Sequence, residues 1–439
     1  MNSSVCDTGS NAQSGVVGDV EPKVPAWMAV FSLAMGVFGL LTAEYLPASL
    51  LTPMATDLGV SEAIAGQAVT VTAVVALFAG LLVPGFTRSL DRRTVLLGFS
   101  VLMIASNLLV ALSSSIWVLM TMRVLLGVAL GGFWCMAAAV AMRLVPASLL
   151  PRALSIIFSG IAVGTVVAVP LGSYLGGLYG WRSAFLAAAA VGCLTLLFQW
   201  FTLPKMAPRS PARLRTVLDV LMRPGIAIGM FGCVLAHTGH FALFTYIRPF
   251  LESTTGVGTD GLALMLLGFG VANFVGTMLT GWLIARSLRV TLALMPALVG
   301  LAALALVFLP ASVPGQALLV AFWGLAFGGV PVAWSNWVAH SVPDQAESAG
   351  GMVVASVQSS IAAGAAAGGA MFSFSGIAGV FIAGAIVMLL SALLIAWRVK
   401  VQPSPLGEAT GQNALNACAL PDSKPCPDAQ SKRVASMGV

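Results

Sequence analysis

Charge is what this chain lacks most. Asp, Glu, Lys and Arg together supply 8% of its 439 residues, against roughly 25% in soluble domains, and that excludes an ordinary water-soluble globule. Acids are the scarcer sign, 15 against 21 basic residues. The six cysteines contain no Cys-x-x-Cys pair: Cys135, Cys193 and Cys233 lie in apolar stretches, Cys418 and Cys426 in a polar one. Neither a disulfide framework nor a zinc cluster is expected. No glycine-rich loop ends in Lys-Ser/Thr behind a strand; residues 364–369 read as a helix-packing surface. No Ser-His-Asp set or nucleotide fingerprint stands at useful spacing, so the chain is not read as an enzyme, and no cofactor or metal is expected. Residues 1–25 are polar, carry Asp7, Asp19 and Glu21, and lack the apolar stretch of a cleavable signal peptide. The net charge of +6 is scattered over short loops, which suits a membrane surface and not nucleic acid.

What the chain has in abundance is apolar length. Hydrophobic residues make up 59%. Runs of about 18–25 residues, enough to cross a bilayer as helix, fall near 28–50, 62–84, 95–112, 116–140, 153–177, 182–203, 225–247, 260–284, 290–309, 316–338, 349–371 and 376–397. The expectation is an all-α membrane protein of twelve transmembrane helices. It divides into an N-terminal tail (1–25), a six-helix bundle (26–203), a linker (204–224), a second six-helix bundle (225–399) and a C-terminal tail (400–439). Both tails read as disordered, and part of the linker as a short surface helix. With the N-terminus inside, 18 of the 21 Lys and Arg lie in inner loops and tails, leaving Arg182 and Arg248 outside and Arg123 in the membrane. Both termini are therefore expected in the cytoplasm.

The halves repeat. Gly127, Ala129, Gly131, Gly132, Val145 and Pro146 recur 197 residues later as Gly324, Ala326, Gly328, Gly329, Val342 and Pro343, and Arg88-Ser89-Leu90 recurs 198 later as Arg286-Ser287-Leu288. Paired halves with a site at their interface suit alternating-access carriers.

Glu44 is the one carboxylate, and Arg123 the one strong base, well inside an apolar run. A charge at mid-bilayer costs roughly 2.5–3.5 kcal/mol by insertion scales, so such residues pair, face a cavity or carry ions. Both fall about six or seven residues from the outer end of their runs, some 9–10 Å deep at 1.5 Å per residue. Burial disfavours the carboxylate and Arg123 favours it; that competition makes a proton switch, the alternative being a static pair that orients two helices. His237 and His240 share a helix face and either line a cavity or pack. Asn273, Asn336 and Gln358 need polar partners in lipid. Phe133, Trp134, Phe241, Phe244, Trp334 and Trp337 offer stacking faces for a flat substrate.

Longer motifs narrow this. The loop after the second run has Gly85 and the Asp91-Arg92-Arg93 cluster, with Ser89 where an acid is usual. The fourth run reads Arg123-Val-Leu-Leu-Gly127-Val-Ala-Leu-Gly131-Gly132. The fifth carries Gly160, Gly164, Pro170, Gly172, Gly176 and Gly177, ending at Gly180-Trp181-Arg182, with Val169 in place of a glycine. These segments resemble the major facilitator superfamily in its twelve-span drug:proton antiporter branch. Glu44-Tyr-Leu-Pro47, Gly66-Gln67, Thr70, Thr72, Gly131-Gly-Phe133-Trp134, Met142-Arg-Leu-Val-Pro146, Phe244-Thr-Tyr246-Ile-Arg248-Pro249 and Asp344-Gln-Ala-Glu347-Ser-Ala-Gly350 are similar to its purine ribonucleoside efflux permeases, over residues 26–398. The resemblance implies the major facilitator fold and proton-driven export of purine ribonucleosides such as inosine and guanosine across the inner membrane, with sugar or multidrug efflux as the alternative. It implies proton coupling at Glu44 and Arg123, a gate at Gly85, Asp91, Arg92, Arg93 and Pro170, and substrate contacts among His237, His240, Asn273, Asn336, Gln358, Trp134, Phe241 and Trp334. The partners expected are the small-molecule substrate, protons and membrane lipid, with the chain acting as a monomer.

Overall fold

The computed structural model describes residues 25–399 apart from 88, 147–148, 208–218, 220, 311 and 343–345. The two tails and most of the linker, including its expected surface helix, lie outside the described residues, as do Arg88, Pro343 and Asp344 of the motifs.

Backbone polar groups in lipid must be satisfied within their own segment, and the described residues form helices joined by short turns. These are α1 (Trp27–Ser49), α2 (Leu51–Leu58), α3 (Glu62–Phe86), α4 (Arg92–Ala111), α5 (Ile116–Leu144), α6 (Leu150–Tyr179) and α7 (Trp181–Thr202), then α8 (Ile226–Thr245), α9 (Ile247–Thr255), α10 (Thr259–Phe308), α11 (Val313–Ser341) and α12 (Ala346–Arg398). Polar residues at the edges of the apolar runs start them. Ser61, Asp91, Ser115 and Ser312 cap α3, α4, α5 and α11, their side chains accepting first-turn N–H groups.

Ten of these helices are long and apolar enough to cross a membrane. Two of the ten are double length. The 50 residues of α10 and 53 of α12 would span about 75–80 Å as straight rods, more than twice the hydrocarbon core of about 30 Å. Each is interrupted, α10 at Ser287 and α12 at Gly376, whose φ of 67° suits glycine. Eight single and two double crossings give the twelve spans, six in each half.

The short helices α2 and α9 are not visible as apolar runs. Their origin is a matched pair of prolines. Pro53 and Pro249 occupy the third position of α2 and α9, where the missing N–H costs nothing. Each follows a break at Leu50 (φ −118°, ψ 11°) or Tyr246 (φ −109°, ψ 17°), and each short helix closes on a left-handed glycine, Gly59 or Gly256. Residues 50 and 246, 53 and 249, 59 and 256 are pseudo-repeat mates at offsets of 196 or 197.

The same symmetry governs packing. A methyl group at Gly131 on α5 would strike the Ala76 carbonyl of α3; one at Gly328 on α11 would strike the Asn273 carbonyl of α10. Gly127 and Gly324 sit likewise against the carbonyls of Thr72 and Phe269. Both glycines and both partners are therefore 197 apart: the repeat read on the fourth and tenth spans extends to the helices they pack upon. Small residues that let backbones approach are the usual cement between helices in lipid. The glycines of α6 do this against α1, with Gly160 over Ala34, Gly172 over Leu46 and Gly176 over Leu50.

The halves meet along α3 against α12 and α6 against α10. Gly369 lies against Gln67 and Ala63, Gly270 against Thr165 and Val166. Tyr246 fills the notch at Gly66, Gly368 and Gly369, and its hydroxyl donates to the Ala365 carbonyl at 3.1 Å.

Candidate functional site

Pro47 lies inside α1. It has no N–H to offer the carbonyl four residues back, that of Ala43. Arg123, fully buried on α5, takes that acceptor: its Nη1 donates to the Ala43 carbonyl at 2.8 Å, its Nη2 approaches the Glu44 carbonyl at 3.5 Å, and its Nε donates to Thr72 Oγ1 on α3 at 3.0 Å. The guanidinium thus ties three helices of the N-terminal half through backbone and hydroxyl oxygens.

Glu44, the neighbour of that carbonyl, is also buried. Matching depth does bring the two charges within electrostatic reach, yet the arginine bonds the backbone and not the carboxylate. Glu44 Oε1 has no hydrogen-bond partner among the described residues. Across the interface, Gln358 of α12 comes alongside the carboxyl, and its Nε2 is also without a bonded partner. The sequence marks a charge pair; the structure holds a fixed arginine beside a carboxyl whose Oε1 is unbonded among the described residues and whose neighbour across the interface is Gln358.

That carboxyl opens on a narrow cavity between the halves. Glu44, Tyr45 and Ala48 of α1 and Val69 of α3 line one wall, Phe241, Phe244 and Thr245 of α8 and Ile361 of α12 the other. Tyr45 and Phe244 meet edge to face, ring centroids 5.7 Å apart. There is room for about one water molecule, far below the roughly 300–1,000 Å³ of a site for a drug-sized ligand. The halves are closed on each other here.

Of the residues singled out by sequence, Glu44, Phe241 and Phe244 line this cavity, and Arg123 and Gln358 come within reach of the Glu44 carboxyl. His237 and His240 sit on the helix that lines it but differ. His240 accepts a hydrogen bond from Trp323 Nε1 at 3.1 Å and stacks on Phe327, with Phe244 and Phe269 also against it; it is a packing residue. His237 Nδ1 bonds the Cys233 carbonyl at 2.9 Å, so that nitrogen carries the proton, while its buried Nε2 has no partner among the described residues. It lies one turn from Phe241 on the same face.

The others lie elsewhere. Asn273 donates to the Gly324 carbonyl at 3.3 Å, joining α10 to α11. Trp334 packs edge to face with Trp337 beside Gly232, and Trp134 stacks on Phe158. Asn336 is partly exposed near the far end of α11, where its carbonyl meets His340. Asn273, Trp134 and the Trp334 ring pack between helices, and the buried Trp334 Nε1 has no partner among the described residues.

The loop motif does the same at the linker end. Asp91 accepts from the backbone of Arg93 and of Met206, and Arg92 N–H returns a bond to the Met206 carbonyl. Arg92 reaches Thr87, and Arg93 binds the Trp200 carbonyl at 2.6 Å while lying over its ring. The cluster anchors the start of the linker to the N-terminal half. Gly85 is exposed with open space beside it, and Pro170 is buried within α6. At the opposite end, Asp57 binds Arg182 at 2.5 Å and the Trp181 indole at 3.1 Å. The arginine first, then the indole, hold its carboxyl below the usual range.

Tyr45, Val69, Thr72 and Thr245 were missed as site residues. Thr72 carried a signal, a hydroxyl one helix over from a lone arginine; Tyr45 carried another, being adjacent to Glu44.

The Major Facilitator Superfamily model matches this chain over residues 27–365 and 229–422. Proteins described as purine ribonucleoside efflux pump NepI are 44% identical to it. In Salmonella enteritidis PT4 the match covers 379 residues, 86% of this chain and 96% of the relative; in Salmonella paratyphi A it covers 380 residues with the same shares. A crystal structure of a D-xylose-proton symporter superposes with a TM-score of 0.70 at 18% identity, covering 86% of this chain and 98% of that one, a likeness of fold.

Proposed function

Because the chain belongs to the major facilitator superfamily, we propose that it is a proton-driven exporter of purine ribonucleosides such as inosine and guanosine. The 44% identity with purine ribonucleoside efflux pumps along nearly their whole length supports the substrate class. It acts as a monomer in the cell inner membrane, with both termini in the cytoplasm.

The observation that carries the mechanism is the buried Glu44 carboxyl at the junction of the halves, its Oε1 bonded to no described residue. A carboxylate buried between the halves bears a desolvation cost that protonation removes. When the cavity opens to water, the same group releases its proton cheaply. Arg123 cannot follow, being held by Ala43 and Thr72, so it stands as a fixed countercharge. A neutral nucleoside presents a flat base and ribose hydroxyls. Phe241, Phe244 and Tyr45 supply faces and edges for the base; Glu44 Oε1 supplies an acceptor, Gln358 Nε2 beside it a donor, and His237 Nε2, one turn from Phe241, a further acceptor once the halves part. Substrate enters only once α3 and α12, and α6 and α10, have parted.

The test is uptake of labelled inosine by inverted vesicles over a range of pH, competed with arabinose and with a cationic dye. Proton-dependent uptake competed only by purine nucleosides is the expected result. Competition by arabinose or dye at similar concentrations would replace the substrate class.

A further inference from the structure

Ser49 ends α1 at the break before α2, so its carbonyl is one of the last-turn acceptors that a helix leaves without a backbone donor. That acceptor is also taken by an arginine, this time from the opposite half. Arg248 Nη1, on α9, donates to the Ser49 carbonyl at 2.6 Å, while its Nε binds Glu252 Oε1 at 2.8 Å. The side chain is buried, and a buried charge is held only where its hydrogen bonds are made. Ser49 lies one turn beyond Tyr45 and next to Ala48, and Arg248 one turn beyond Phe244, so the bond lies immediately past the cavity, toward the end that carries α2 and α9. There α9 packs against both α1 and α2.

We propose that Arg248 is the latch that closes this end of the carrier, and that opening the cavity here means withdrawing the guanidinium from the Ser49 carbonyl. Glu252 keeps the arginine aimed while it is engaged. It also offers the charge a partner on the same helix once α9 moves away, so the latch opens without stranding a bare cation. Arg248 is a positioning residue: it touches no substrate and acts through the distance between the halves. The inference rests on the exporter reading for its orientation, which makes this the outer end, but on nothing concerning substrate or proton.

The experiment measures labelling of a cysteine in the cavity wall, Ala48→Cys or Val69→Cys, by a membrane-impermeant maleimide. It uses right-side-out and inverted vesicles in parallel, against the background of the protein lacking the added cysteine. Arg248→Gln should raise the labelling rate from the α2/α9 side about tenfold or more, the loss expected for a charge-assisted hydrogen bond. Arg248→Lys, which cannot serve Ser49 and Glu252 together, should fall between. Glu252→Gln loosens the aim of the guanidinium and should also label faster, the double variant with Arg248→Gln labelling no faster than Arg248→Gln alone. Parental labelling in Arg248→Gln overturns the latch. Should Arg248→Gln not reach the membrane, Glu252→Gln and Arg248→Lys decide alone, and parental rates in both reject the proposal. Acceleration only in inverted vesicles upholds the latch and reverses the orientation. No substrate or gradient enters the assay, so its failure leaves the purine-export reading standing, and a changed substrate leaves the latch standing.

Discussion

Arg123 occupies the backbone carbonyl that Pro47 leaves free. The Nη1–O distance to Ala43 is 2.8 Å, and the acceptor exists because a proline four residues on has no proton to give. This relationship gives physical content to the Glu44-x-x-Pro47 pattern: the proline makes a socket for the arginine, and the residue next to the socket is the carboxyl whose charge the arginine faces.

Pro47→Ala should therefore weaken transport without removing either charge. An N–H at position 47 competes for the Ala43 carbonyl and lets the guanidinium drift toward Glu44, turning its carboxyl into half of a closed ion pair. We expect inosine uptake in inverted vesicles to drop at least tenfold while the protein still purifies as a single species. Arg123→Leu should do worse, leaving the buried Ala43 carbonyl without a donor at about 1–3 kcal/mol while Thr72 keeps only its bond to the Ala68 carbonyl. A marked fall in the melting midpoint of the detergent-solubilised protein is the readout.

Glu44→Gln keeps shape and hydrogen bonding but cannot carry a proton. Gradient-driven transport should disappear, and exchange of labelled for unlabelled substrate should persist. Gradient-driven accumulation at the wild-type level would falsify the coupling role.

Overexpression should lower cellular sensitivity to toxic purine analogues and leave sensitivity to lipophilic cations such as ethidium nearly unchanged. Phe241→Ala and Phe244→Ala should each abolish much of that protection by removing stacking area of the order of 1 kcal/mol or more. If tolerance rises for ethidium and not for the purine analogues, the substrate class is wrong.

Cysteines placed in the 204–223 segment should react only from the cytoplasm, and cysteines at 253–258 only from outside. The Lys/Arg distribution is the physical basis, and labelling intact cells with a membrane-impermeant thiol reagent checks it.

The repeat glycines supply a test of packing. Gly131→Val and Gly328→Val push side chains into the carbonyls of Ala76 and Asn273, overpacking of about 1–3 kcal/mol or more at each site. Gly281→Ala, which meets open space, should be neutral or slightly stabilising. Thermal unfolding monitored by size-exclusion chromatography separates the three.

Much of this molecule is legible in its residues because lipid leaves few choices. Apolar stretches of bilayer length must be helical, since no water is present to satisfy an open backbone. Twelve crossings, their division into halves and the isolation of Glu44 and Arg123 all follow from that constraint and from counting. The repeat of Gly127 and Gly131 at Gly324 and Gly328 is legible too, because close helix contact admits almost nothing larger. What was not legible is who bonds whom. Asn273, Trp134 and Trp334 are polar or aromatic at membrane depth as site residues would be, and only packing separates them from Gln358 and Phe241. His237 and His240 are three residues apart on one helix, yet one nitrogen is spoken for by Trp323 and another is left free. Most of all, the arginines choose backbone carbonyls. Prolines and helix ends announce which carbonyls lack a helical donor, but whether a guanidinium lies within reach depends on how α5 leans on α1 and how α9 folds over the α1–α2 break. The chain by itself determined the helices and their charges; the tertiary structure decided that Arg123 is anchored in one half while Arg248 spans both, because a hydrogen bond needs its partners within about 3 Å and only the assembled bundle sets that distance.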